Sequence, residues 1–120
     1  MQENRRLAPA RELPTGHFTM AEVNCLGDYA QAIARQRSPS AGLREINRLE
    51  AYLHALHIDP QTNPIHWSIF HQAKGLVLEI NGNYQAAAEF LAMDGTPTGA
   101  RKTDYDRVMA KLRLQTPDAP

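Results

Sequence analysis

The chain has 120 residues, of which 42% are hydrophobic and 22% charged. That is enough for one core, and the composition excludes a disordered tail, a fibrous repeat or two independent domains. Thirteen basic residues balance thirteen acidic ones, which removes the overall basicity usual in nucleic-acid binders. No apolar run approaches the roughly 18 residues that cross a bilayer, and MQENRRLAPARELPTGHF lacks the apolar centre of a secretory signal. With a single cysteine, Cys25, no internal disulfide framework is available, and a reducing, cytoplasmic compartment is expected.

Residues 1–18 carry Pro9, Pro14 and Gly16 without a sustained apolar period and read as a mobile arm. Thr19-Met-Ala-Glu22 has the form of a capping box and predicts a first helix over about 20–36, with Ser38-Pro39-Ser40 as its stop. A second helix over about 41–57 carries Leu43, Ile46, Leu49, Leu53 and Leu56 on one face. Asp59-Pro60 ends it. Asn63-Pro64 pairs an N-cap with proline at the first helical position, opening a third helix over about 64–80 that closes at Asn81-Gly82-Asn83. The fourth, about 83–93, aligns Tyr84, Ala87, Ala88 and Leu91. Thr103-Asp-Tyr-Asp106 then caps a fifth, in which Tyr105, Val108, Met109 and Leu112 share a stripe. Residues 115–120 read as a disordered tail. The fold expected is all-α: about five helices in antiparallel hairpins, forming one domain over 19–114.

The third helix is apolar on two sides. Ile65, Ile69, Ala73, Leu76 and Ile80 cluster on one face, with Phe70 and Val77 at its margin; Trp67, His71, Lys74 and Leu78 gather on the other. Such a helix is either sandwiched between layers or presents its second stripe to a partner. Trp67, His71, Lys74 and Leu78 are therefore the candidate partner-binding residues.

Two stretches read alike: Leu26-Gly27-Asp28-Tyr29-Ala30-Gln31-Ala32 and Asn81-Gly82-Asn83-Tyr84-Gln85-Ala86-Ala87. Each resembles the turn and second-helix start of a tetratricopeptide repeat, in which glycine permits the turn and alanine a close helix approach. Gly75, Phe90 and Pro97 extend the likeness, and Tyr52, Ala55 and Ile58-Asp59-Pro60 look like the close of another repeat. The two copies lie 55 residues apart, against a regular period of about 34. Lys74 and Leu78 stand where the family prefers leucine and tyrosine. The resemblance covers about a quarter of the chain and implies a peptide- or protein-binding scaffold.

Catalytic and metal signatures are weak. Glu50, His54 and His57 fall at i, i+4 and i+7, with His66 and His71 further on, but no recognised zinc spacing is present and no metal is expected. Cys25 reads as a small core residue. Gly95-Thr-Pro-Thr-Gly-Ala-Arg-Lys102-Thr103 departs from a phosphate loop at Arg101. No catalytic residue and no cofactor is therefore assigned.

Charge is nonetheless segregated: +3 over residues 29–48, −4 over 49–100 and +3 over 101–113. In the last block Arg101, Lys102, Arg107, Lys111 and Arg113 could meet phosphates, which makes a DNA-associated regulator the alternative reading. The favoured expectation is a non-enzymatic module that binds another polypeptide, as an adaptor, chaperone, immunity protein or inhibitor. A second copy of the chain is among the partners it admits, and a membrane is not.

Overall fold

Residues 19–115 are described by a computed structural model, and they form five helices with no strand among them: α1 (Met20–Gln36), α2 (Pro39–Ala55), α3 (Pro64–Ile80), α4 (Tyr84–Leu91) and α5 (Gly99–Gln115). The arm expected over residues 1–18 and the tail beyond Gln115 lie outside the described residues. No helix among the described residues is long and apolar enough to cross a membrane.

Side-chain caps open α1 and α2, whereas at α3 Pro64 takes the first turn and the Asn63 side chain makes no cap bond. The Thr19 hydroxyl accepts from the Glu22 N–H at 3.2 Å, and the Thr19 N–H donates to the Glu22 carboxylate at 2.7 Å, which satisfies two orphan donors at the start of α1. Ser38-Pro39 is a start as well as a stop. The Ser38 hydroxyl accepts from the Ala41 N–H at 3.1 Å and Pro39 takes the first turn, so α2 begins two residues earlier than the spacing predicts. Its last helical residue is Ala55, and His57 turns the chain with φ +58°. The fifth helix also starts early, at Gly99. Thr103-Asp-Tyr-Asp106, expected as its cap, lies inside it, and Gln115 belongs to its last turn.

Close approaches at two glycines show how the helices pair. A Cβ on Gly42 would overlap Ala34 Cβ, and one on Gly75 would meet Leu91 Cγ at 2.8 Å. Both contacts centre on a turn, so α1–α2 and α3–α4 are antiparallel hairpins. Gly27 abuts Ala73, and α1 packs along α3 as well as α2. Residue numbers rise together across both the α1–α3 and the α3–α5 contacts. Helices α1, α3 and α5 therefore run parallel in one layer, with α2 and α4 returning behind them.

Two apolar clusters hold these layers together. The larger joins α1, α2 and α3 through Val23, Ala30, Ile46, Leu49, Leu53, Trp67, Phe70 and Val77. The smaller joins α3, α4 and α5 through Leu78, Ala87, Ala88, Leu91 and Val108. Trp67 is central to the first, at 4% exposure. Its ring lies edge-on to Phe70 at 5.4 Å, and its indole N–H donates to the Ile58 carbonyl at 2.7 Å, so a polar atom taken from water is repaid inside.

The Gly-x-Tyr stretches meet different fates. Gly82-Asn83-Tyr84 is the α3–α4 turn, with Gly82 at φ +82°. Gly27-Asp28-Tyr29 runs through the middle of α1, where the glycine admits Ala73 and makes no turn.

Candidate functional site

The two apolar stripes of α3 exchange the roles that invited a partner surface on Trp67. Trp67 and Leu78 are buried, one in each core cluster. His71 is half-buried, with Nδ1 3.0 Å from the Asp94 carboxylate. Half-buried Lys74 reaches Glu50 at 3.6 Å and lies 4.7 Å from the centre of the Phe90 ring. The four candidate residues thus bind the chain to itself. Ile65 is 58% exposed, and Ile69, Leu76 and Ile80 are only partly buried. Ala73 of the same stripe is buried against Gly27, so both sides of α3 are used inside, the indole side at Trp67 and Leu78 and the other at Ala73, with its flanks left half-open.

The outer stripe floors a groove. Asn24, Asp28 and Gln31 of α1 face Ile69, Gln72 and Leu76 of α3 across a cleft of about 140 Å³. Leu76 also lines a second cleft, of about 390 Å³, which continues past Arg35 and Ile80 to Asp104, Arg107 and Lys111 of α5, above Glu79. Leu76 lines both, so the two clefts adjoin as halves of one open surface across the α1–α3–α5 layer. Five charged residues line its larger half, whereas pockets for small apolar ligands are enclosed and mostly apolar.

Glu79 organises the basic end. Its side chain is 7% exposed, and its two oxygens accept from Arg107 Nη2 and Nε at 2.7 Å and from Lys111 Nζ at 2.7 Å. The bidentate bond from Arg107, with lesser help from Lys111, lowers the Glu79 carboxyl below its ordinary range despite the opposing effect of burial. The same bonds raise Arg107 above its ordinary value. Asp104 bonds Arg107 at 3.0 Å and accepts from Gln72 at 3.3 Å, tying α5 to α3 a turn earlier.

This network also redistributes the five cations read as a phosphate-binding face. Arg107 and Lys111 turn inward to Glu79, and Arg101 bonds the Ser68 carbonyl at 2.6 Å and Asp94 at 3.0 Å. Lys102 pairs with Asp106 along the exposed side of α5, and Arg113 is exposed in its last turn. The cations therefore do not form one outward patch.

Among the described residues no group of three or more His, Cys, Asp or Glu side chains is placed to hold a metal. Glu50 pairs with Lys74, and the His54 ring packs 5.0 Å from that of Trp67. Cys25, expected in the core, is exposed on α1. Residues 95–103, the segment like a phosphate loop, run from the α4–α5 connection into the first turns of α5.

Reading the sequence missed Asn24, Asp28, Gln31, Arg35 and Gln72 as groove residues. They are single polar residues spread over two helices, and nothing in their spacing links them until α1 and α3 are known to run side by side. The signal that existed was the exposed counterpart of the Trp67 stripe.

No family model matches the chain, and neither a curated protein nor a solved structure matches it.

Proposed function

We propose that the protein is a non-enzymatic module that holds a segment of another polypeptide in the groove across α1, α3 and α5. One observation carries this reading: two adjoining clefts that share Leu76, with Ile69 in one and Ile80 in the other, lined by side chains from three helices. Partly exposed apolar residues in a polar rim are the anatomy of a protein-binding surface, and parallel helices hold that surface rigid before a partner arrives. The tetratricopeptide-like turn at Gly82 is consistent with such a scaffold. Adaptor, chaperone, immunity protein and inhibitor are all roles a groove of this kind serves.

A photo-crosslinking side chain tests it. Placed at Gln72, inside the groove, it should capture a polypeptide from the native extract; placed at Arg48, exposed on α2, it should not. Equal capture at both positions, or none at Gln72, refutes the groove.

A further inference from the structure

Resting on the groove reading, we infer that its occupant is an extended segment bearing an acidic residue about three positions from a basic one, with apolar side chains between them facing α3. The charge layout supplies the first part. At one end the exposed carboxylate is Asp28, flanked by Asn24. At the other, Arg35 is exposed, and Arg107 and Lys111, though bonded to Glu79 and Asp104, keep 42% and 41% of their side chains exposed above carboxylates that are 7% and 19% exposed, so three cations stand against two carboxylates. The groups within a partner's reach are therefore negative at one end and positive at the other. Complementary charge of this kind fixes register and direction more than raw affinity.

Distance supplies the spacing. Asp28 and Arg35 are two turns apart on α1, about 10 Å along the axis at 1.5 Å per residue. An extended chain covers that in about three residues at 3.3 Å each. On the floor, Leu76 and Ile80 are about 6 Å apart along α3, close to the roughly 6.6 Å between alternate side chains of a strand.

The carboxamides argue for an extended occupant over a helical one. Gln31 and Gln72 stand beside the floor, each able to donate and to accept. Their present bonds are long: 3.4 Å from Gln31 Nε2 to the Gly27 carbonyl, 3.5 Å from Arg35 to Gln31 Oε1, and 3.3 Å from Gln72 to Asp104. They are easily exchanged for the open N–H and C=O groups of an extended backbone. A helix, whose backbone bonds are internal, would leave those carboxamides little to bind.

Selection of short random peptides displayed against the full chain tests the inference, using three variants of the chain. Leu76→Trp and Gln31→Trp fill the groove from different helices, and Arg35→Glu reverses the charge at its basic end; circular dichroism confirms that each is folded. The expected pool is lost on either tryptophan variant and carries acidic and basic residues three positions apart. Its members bind Arg35→Glu about fivefold more weakly, the size of one exposed charge pair. A pool that needs the open groove but lacks the charge pattern, or ignores Arg35→Glu, overturns this inference and leaves the groove reading intact. A spacing of seven positions overturns the extended form in favour of a helix. Peptides indifferent to both tryptophan variants, or no peptides at all, remove the groove reading itself.

Discussion

Between α1 and α3 the contact is apolar and close to the backbone: Gly27 abuts Ala73, and Val23, Ala30, Phe70 and Val77 are buried around the junction. Between α3 and α5 it is polar, made by Glu79 with Arg107 and Lys111, Gln72 with Asp104, and Ser68 with Arg101. Only Val108 of α5 is buried. The first junction depends on shape and the release of water, which salt and pH hardly touch. The second depends on directional bonds between charges, which fix the register of α5 and fail when a charge is removed or screened. The groove spans both junctions, so its basic wall stands on the more easily loosened helix.

The sharpest way to break that contrast is Trp67→Ala. It removes the largest side chain of the first cluster and the bond to the Ile58 carbonyl, and should cost about 3–5 kcal/mol in urea-induced unfolding. A loss below 1 kcal/mol would mean that the indole is not the centre of the core. Glu79→Gln acts on the other junction and should cost less, about 1–2 kcal/mol, because the partner cations are half in water and regain hydration. Its signature is local. Amide exchange should quicken in α5 while α1–α3 keep their protection, whereas Trp67→Ala should loosen α1–α3 directly.

Acid should reproduce the second effect without mutation. Hydrogen bonds from Arg107 and Lys111 place the folded carboxyl of Glu79 below its ordinary value of 4.5, so its contribution is present above that value and lost as pH falls through the lower, folded one. Protection of α5 should therefore fall below pH 4.5 before α1–α3 unfold. In Glu79→Gln the early step should be absent.

How much of this was legible in the sequence follows from the same contrast. Helix starts driven by local chemistry were readable, because Thr19 with Glu22 carries its reason within four residues and Pro64 fits the first turn of α3, although the Asn63 side chain makes no cap bond there. So was the apolar face of α2, where Ile46, Leu49 and Leu53 recur with the helix period and are buried. The start of α5 was not. Its apolar stripe of Tyr105, Val108 and Met109 packs on the second cluster as the period suggests, but the stripe begins only at Tyr105, and the turns before it are docked by Arg101 and Asp104, polar residues that periodicity does not see. The groove was hidden for another reason. Ile69, Leu76 and Ile80 share their stripe with buried Ala73 and repeat as regularly as a core stripe, so spacing alone does not tell which of them stay half-open to water.

The smallest predicted effects compare two helix ends built alike. At the end of α2 the His57 N–H donates to the His54 carbonyl and the Ile58 N–H to that of Leu53, at 3.0 and 2.9 Å. At the end of α3 the Gly82 N–H donates to Glu79 and the Asn83 N–H to Leu78, again at 3.0 and 2.9 Å. Both are Schellman turns, with the residue after the cap in the left-handed region, at φ +58° for His57 and +82° for Gly82. A Cβ on Gly82 would meet nothing within 4 Å, so Gly82→Ala isolates the backbone cost and should destabilise by about 1 kcal/mol. His57 already bears that cost. His57→Gly relieves it but frees the unfolded chain, and the difference should be a gain of about 0.5 kcal/mol. Thermal unfolding of the two variants side by side checks both signs. If His57→Gly is instead destabilising, the imidazole contributes more through the cleft it lines with His54 and Asp59 than its backbone strain removes.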